Sequence, residues 1–167
     1  RPVRRAGPPA RRAAVASAGA SYSIHVLLVP FVSIPDAPFS QGQVIRVAFL
    51  ERALYLLKET VAADVEEACF GCTLDAEGAA YANAAFAIIY AFDLDAGTLR
   101  YGARGYRFGL LECGAMTQQA ALVANQQGFG SCLFGGFADS QLASVLGLRP
   151  QAMLVSCVQV FGESNCP

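Results

Sequence analysis

Between Phe108 and Gln126 the chain carries a single charged residue, Glu112. The other polar groups there are mostly amides: Gln118, Gln119, Asn125 and Gln126. Leu110, Leu111, Met116, Leu122 and Val123 fall on more than one side of a helical wheel, and a helix apolar nearly all round belongs in a core. Gly114, Ala115, Ala120, Ala121 and Ala124 keep it narrow, so neighbouring backbones can come close. Gly128 stands where a helix C-terminus favours positive φ. Gly130, Gly135 and Gly136 follow, each able to bring main-chain N–H groups near a ligand. A chain organised around such a helix must wrap other layers against it, and the predicted element order, β, α, β, α, α, β, suggests an α+β layered sheet with this helix in its core.

The remaining elements are read from pattern. Ile24 to Val32 and Asn83 to Phe92 are short apolar runs and predict buried strands. Val47, Leu50, Leu54 and Leu57 recur at helical spacing, so Val44 to Ala68 predicts one amphipathic helix. Asp93 to Gly97 reads as a turn. Asp139 is a plausible N-cap for a helix over Ser140 to Leu146, ended by Gly147. Ala152 to Val160 predicts a last central strand. The length, 167 residues, suits one domain with a substantial core, residues 1–16 being read as a flexible arm.

Composition excludes several classes. The net charge of −1 gives no argument for nucleic acid. Five of the cations, Arg1, Arg4, Arg5, Arg11 and Arg12, crowd the N-terminal arm, where a solvated segment or a phosphate contact is expected. The charge-free runs from Ala13 to Pro35 and from Cys113 to Ala138 are too polar or glycine-rich for membrane spans. Arginines before a run of small residues lack the apolar segment of a signal peptide. Cys113, Cys132 and Cys157 lie in apolar stretches and read as small buried hydrophobes. Cys69 and Cys72 have a redox-like or metal-like spacing. Zinc, however, needs about four ligands, and the chain has no second such pair and only one histidine, His25. No metal is expected, and the cysteine usage fits a reducing cytoplasm.

The stretch Tyr101 to Gln118 reads YGxRxYRxxLLxxGxxxQ, and a GxGS turn (Gly128–Ser131) and a GGF loop (Gly135–Phe137) come after it. This arrangement resembles the SagB-type branch of the nitroreductase-like flavoproteins, firmly from about Arg100 to Leu148. The order of arginines, then Ser17-Ala18-Gly19-Ala20-Ser21-Tyr22, then a strand is similar to that family's PSAGALYP element, with Ala16 and Ser23 in place of its prolines. Residues from about Pro35 to Tyr81 match poorly. The resemblance implies a nitroreductase-like fold, a central mixed sheet around a buried long helix. It also implies an FMN-dependent oxidoreductase, commonly a homodimer, dehydrogenating a thiazoline, an oxazoline or a similar peptide-derived or small-molecule substrate beside partner biosynthetic enzymes.

A flavin needs cations or oriented N–H groups for its phosphate and a flat apolar slot for its ring. Candidates for the phosphate are Arg12, Ser17 and the Gly128–Gly130–Ser131 turn, and the resemblance implies that the loop holding Ser17 and Gly19 contributes to the flavin site. The resemblance places Gly135, Gly136 and the Gln118 amide near the ring. Arg104 and Arg107 can share one face at the helix start and contact an anion or substrate; a salt bridge or a solvated turn is the plainer reading. The family shows Lys-Tyr at the catalytic pair, where this chain has Arg100-Tyr101. An arginine cannot serve as a lysine-type base, so Tyr101 is the candidate proton donor or acceptor. Two other readings stay open: an NAD(P)H-dependent nitro or quinone reductase, and a flavin-free domain that docks in a biosynthetic complex.

Overall fold

The alternation of side chains along one strand decides the architecture. In the computed structural model, which describes residues 13–70 and 83–163, Ala84–Asp93 forms β4 near the middle of the sheet. Its residues Ala87 and Ile89 face one core, whereas Ile88, Tyr90 and Phe92 face another. Two apolar faces on one strand demand cover on both sides. Helices α1 (Ala62–Phe70) and α4 (Asp139–Leu146) cover the first face through Val65, Ala68, Leu142 and Leu146. Helix α3 (Arg104–Gln126) covers the second through Cys113 and Met116. Each fully buried Val or Leu in such a layer contributes roughly 1.5–3 kcal/mol.

The other strands are β1 (Ile24–Pro30), β2 (Gln43–Ala48), β3 (Ala53–Glu59), β5 (Phe129–Phe134) and β6 (Met153–Glu163), in the spatial order β3-β2-β1-β4-β6-β5. Every pairing among them is antiparallel, where a mixed sheet was expected. The layered α+β arrangement is the one the sequence predicts.

Residues Val44 to Ala68 correct the sequence reading. They form the β2–β3 hairpin and then α1, not one helix. The turn between the strands places Arg52 at φ 55°. The four positions that mimic a helix divide over the hairpin: Val47 lies on β2, rich in β-branched residues and paired with β1, Leu50 in the turn, and Leu54 and Leu57 on β3, where pairing with β2 overrides local propensity. A register shift at Val44/Ile45 explains why both neighbours are buried despite strand alternation. Asp93 to Gly97 is also not a turn. Asp93 caps helix α2 (Leu94–Tyr101), its Oδ1 accepting from the Ala96 N–H at 2.8 Å. Asp139 lies in the first turn of α4, and Ala138 holds the cap position without a side-chain bond.

The long helix is present, but it is not buried all round. Its inner stripe hides Glu112, Cys113, Met116, Thr117 and Ala124. Leu110, Leu111, Leu122 and Val123 are exposed by 42%, 65%, 50% and 48%. A buried carboxylate and exposed leucines on one helix invert the usual order, and both sides of that inversion bear on the site.

Candidate active site

Three residues of the Ser17–Tyr22 turn lie in the left-handed region: Gly19 at φ 58°, Ala20 at 55° and Tyr22 at 46°. For Ala20 and Tyr22 that conformation costs about 1–2 kcal/mol each, so the surroundings must hold it. They hold it from two sides. The Glu112 carboxylate, on α3, accepts from the Ser17 hydroxyl at 2.5 Å and from the Ile24 N–H at 3.0 Å. The Ser17 Oγ in turn accepts from the Tyr22 N–H at 2.9 Å. From the other side Arg100, at the end of α2, donates Nη1–H to the Gly19 carbonyl at 3.0 Å. Backbone strain over-determined in this way gathers at functional sites.

The clamp sets Gly19 against the Arg100–Tyr101 pair. A Cβ added at Gly19 would run into the Tyr101 hydroxyl and the Arg100 guanidinium. The Tyr101 ring is braced edge-on by Phe108, with centroids 5.1 Å apart. The topology thus joins three predicted site residues, Gly19, Arg100 and Tyr101. Ser17 belongs to the same cluster, but its hydroxyl is engaged by Glu112 and Tyr22.

The other predicted residues lie elsewhere. Arg104 and Arg107 are exposed on the first turns of α3, and Arg107 lies over the Phe108 ring at 5.9 Å. Gln118 is exposed, so solvent can satisfy its amide. Gly128 has φ 79° directly beyond α3, as its position predicts. Gly130 and Ser131 do not continue a turn. They belong to β5, opposite Gly162 and Phe161 of β6, because ladder pairing straightens the chain there. Gly135 and Gly136 sit in the exposed loop before α4. Arg12 and Cys72 lie outside the described residues. Cys69 is buried, and burial first, then the Glu66 charge, pushes its thiol up to about 12. Cys132 is exposed rather than buried.

Sequence reading missed two residues that shape the site. Glu112 was visible only as the single charge in an uncharged helix. Gln159, on β6, accepts from the Tyr90 hydroxyl at 2.9 Å and donates to the Thr117 carbonyl at 3.2 Å and the Ser131 Oγ at 3.4 Å. It ties β4, β6, α3 and β5 at one buried point.

A cleft of about 710 Å³ opens between the C-terminal half of α3 and the sheet, lined by apolar residues that include Val26, Phe49, Ile88, Tyr90, Met116 and Phe129. At Gly128, Gly135 and Gly136 no atom beyond their own chain neighbours comes within 4 Å of where a Cβ would stand. Among the described residues nothing accounts for the missing side chains of Gly135 and Gly136, which offer bare backbone to an approaching ligand, whereas the φ of 79° accounts for Gly128. The bare backbone at Gly135 and Gly136 suits an anionic, planar cofactor, while Arg104 stands at the opposite end of α3 from Gly128, about 34 Å away along the 23-residue helix. Among the described residues no group of three or more His, Cys, Asp or Glu could hold a metal, and no helix is long and apolar enough to cross a membrane.

Comparison with known proteins agrees with the fold. The family model described as "Nitroreductase family" matches residues 10–163. The microcin B17-processing protein McbC of Escherichia coli is 36% identical over 80 residues, covering 48% of this chain and 29% of that protein. A chain of the E. coli microcin synthetase McbBCD complex, with truncated pro-MccB17 bound, superposes with TM-score 0.82 at 29% identity, over 95% of this chain and 58% of that one. A structure described as a nitroreductase, from Anabaena variabilis, gives TM-score 0.75 at 22% identity, over 92% and 34% of the two chains. The NADPH:FMN oxidoreductase of Vibrio harveyi, complexed with NAD+, gives 0.58 at 15%, over 91% and 55%. The last two likenesses speak to the fold alone. This chain spans less than a third of McbC and less than two thirds of the matched chain of the McbBCD complex.

Proposed function

The chain belongs to the nitroreductase family, and from that premise we propose that it is an FMN-dependent oxidoreductase that dehydrogenates an azoline ring, a thiazoline or an oxazoline, in a peptide-derived substrate. The observation that carries this reading is the clamp that presents Tyr101 beside the strained Ser17–Tyr22 turn. FMN, when bound, supplies a two-electron acceptor. The backbone at Gly135 and Gly136 would lie against it, Arg12 is the candidate cation for its phosphate, and Arg104 and Arg107, at the opposite end of α3 from Gly128, are left to contact an anionic group of the substrate. Taking a hydride from the ring leaves a proton to be removed, and the Tyr101 hydroxyl is the group of the pair that can relay it, releasing its own O–H proton to water as it accepts the ring's. Arg100 stays a cation and fixes Gly19 instead.

The test begins with the visible absorption spectrum of the purified protein, with FMN added if it is colourless. A yellow protein with stoichiometric flavin is expected. Tyr101→Phe should then retain its flavin while turnover of an azoline peptide falls roughly 10²-fold or more. A protein that never binds FMN overturns the enzyme reading and leaves the docking domain.

The same reading makes the chain a cytoplasmic homodimer that works beside partner enzymes. The exposed Leu110, Leu111, Leu122 and Val123 of α3 form the surface that a second copy would cover. Light scattering should give twice the chain mass for the native protein and the single mass for Leu111→Asp. An unchanged mass in that variant would remove α3 from the interface.

A further inference from the structure

Two thiols that this reaction leaves unused face each other between α3 and β6. The Sγ atoms of Cys113 and Cys157 lie 3.3 Å apart, and neither is in a disulfide. Their elements are also tied together by the bond from Gln159 to the Thr117 carbonyl, which restrains the pair's approach. A disulfide holds its sulfurs at about 2.05 Å, so closure needs a movement of little more than an ångström. Ile24, Phe92 and Met116 pack in the same cluster, and among the described residues no third cysteine belongs to it. Lone buried thiols are usually inert, but here each has the other. The hydrogen bond from Cys157 draws the Cys113 thiol down, and the same contact drives Cys157 up. One proton of the pair leaves more readily and the second less.

We propose that Cys113 and Cys157 form a reversible disulfide site that joins α3 to β6, with a peroxide as oxidant. The Cys113 thiolate attacks one peroxide oxygen, the O–O bond breaks, and a sulfenic acid and one water result. The Cys157 thiol then attacks that sulfur, the S–O bond breaks, and a second water leaves. Two thiols lose two electrons and two protons, and one hydrogen peroxide becomes two waters. A small dithiol reverses the step by exchange. The bond falls one residue from Glu112, so it fixes the part of α3 that anchors the Ser17–Tyr22 turn.

The test treats the purified full chain with hydrogen peroxide, blocks remaining thiols, and maps chymotryptic peptides without reduction. The expected result is a Cys113–Cys157 cross-linked peptide and a melting temperature raised by about 10 °C, both reversed by dithiothreitol. Cys132→Ser should behave as the native chain, whereas Cys157→Ala should show neither change. Should Cys157→Ala fail to fold, the peptide map of the native chain decides alone. Recovery of both cysteines as blocked thiols, as sulfinic acids, or bridged to other cysteines overturns the proposal.

Discussion

Glu112→Ala is expected to lower the melting temperature by roughly 6–12 °C and to strip the protein of flavin. The residue is only 3% exposed, and no cation pairs with it among the described residues. Its charge is compensated by two hydrogen bonds, from the Ser17 hydroxyl and the Ile24 N–H. Truncation to Ala leaves both donors facing an apolar layer. Hydrogen bonds to a charged group are worth about 1.5–3 kcal/mol each, so about 3 kcal/mol in total is a conservative loss, and each kcal/mol moves a chain of this size by about 2–4 °C. The turn cannot keep Ala20 and Tyr22 at positive φ once its anchor is gone. Glu112→Gln keeps the shape and one acceptor, and should lose about half as much. Thermal melts and flavin content of the two variants check this. A Glu112→Ala protein that melts with the native chain would show that the turn is held by Arg100 alone.

That prediction rests on a residue the sequence marked without explaining. The long helix was legible because its composition leaves few alternatives, and Arg104–Gln126 lies close to the expected range. Which stripe of it would be buried was not legible. Leucine and valine fill more sides than one chain covers, and the choice falls to the sheet, which accepts Cys113 and Met116 and leaves Leu111 outside. The β2–β3 hairpin failed for a related reason. Four residues at helical spacing can also lie on a strand pair, and only β1 decides between the two. At the site, Arg100 and Tyr101 were readable as a pair from the motif. Their contact with Gly19 joins positions 81 apart in the chain, and only the fold makes it. Local pattern specifies elements, and long-range pairing specifies which of their faces meet.

Gly19→Ala is expected to separate stability from function. At φ 58° an alanine costs about 1–2 kcal/mol in backbone strain, which corresponds to only about 2–8 °C in melting temperature. The new Cβ would stand 2.9 Å from Arg100 Nη1, with the Tyr101 hydroxyl closer still. Both obstacles are ends of flexible side chains, so they move rather than unfold the protein. Arg100 then loses the Gly19 carbonyl and the Tyr101 hydroxyl leaves its place. A displacement of about 1 Å at a reacting group can cost 10²-fold in rate, and a loss of that order in turnover is expected with the fold intact. Gly135→Ala is the counterpart. Its Cβ meets nothing within 4 Å and its φ is not in the left-handed region, so its melting temperature without flavin should equal the native one, while FMN binds more weakly if the flavin rests there. Turnover in Gly19→Ala equal to that of the native chain would mean that Tyr101 does not act from this position. Undiminished FMN affinity in Gly135→Ala would remove that loop from the cofactor's surroundings.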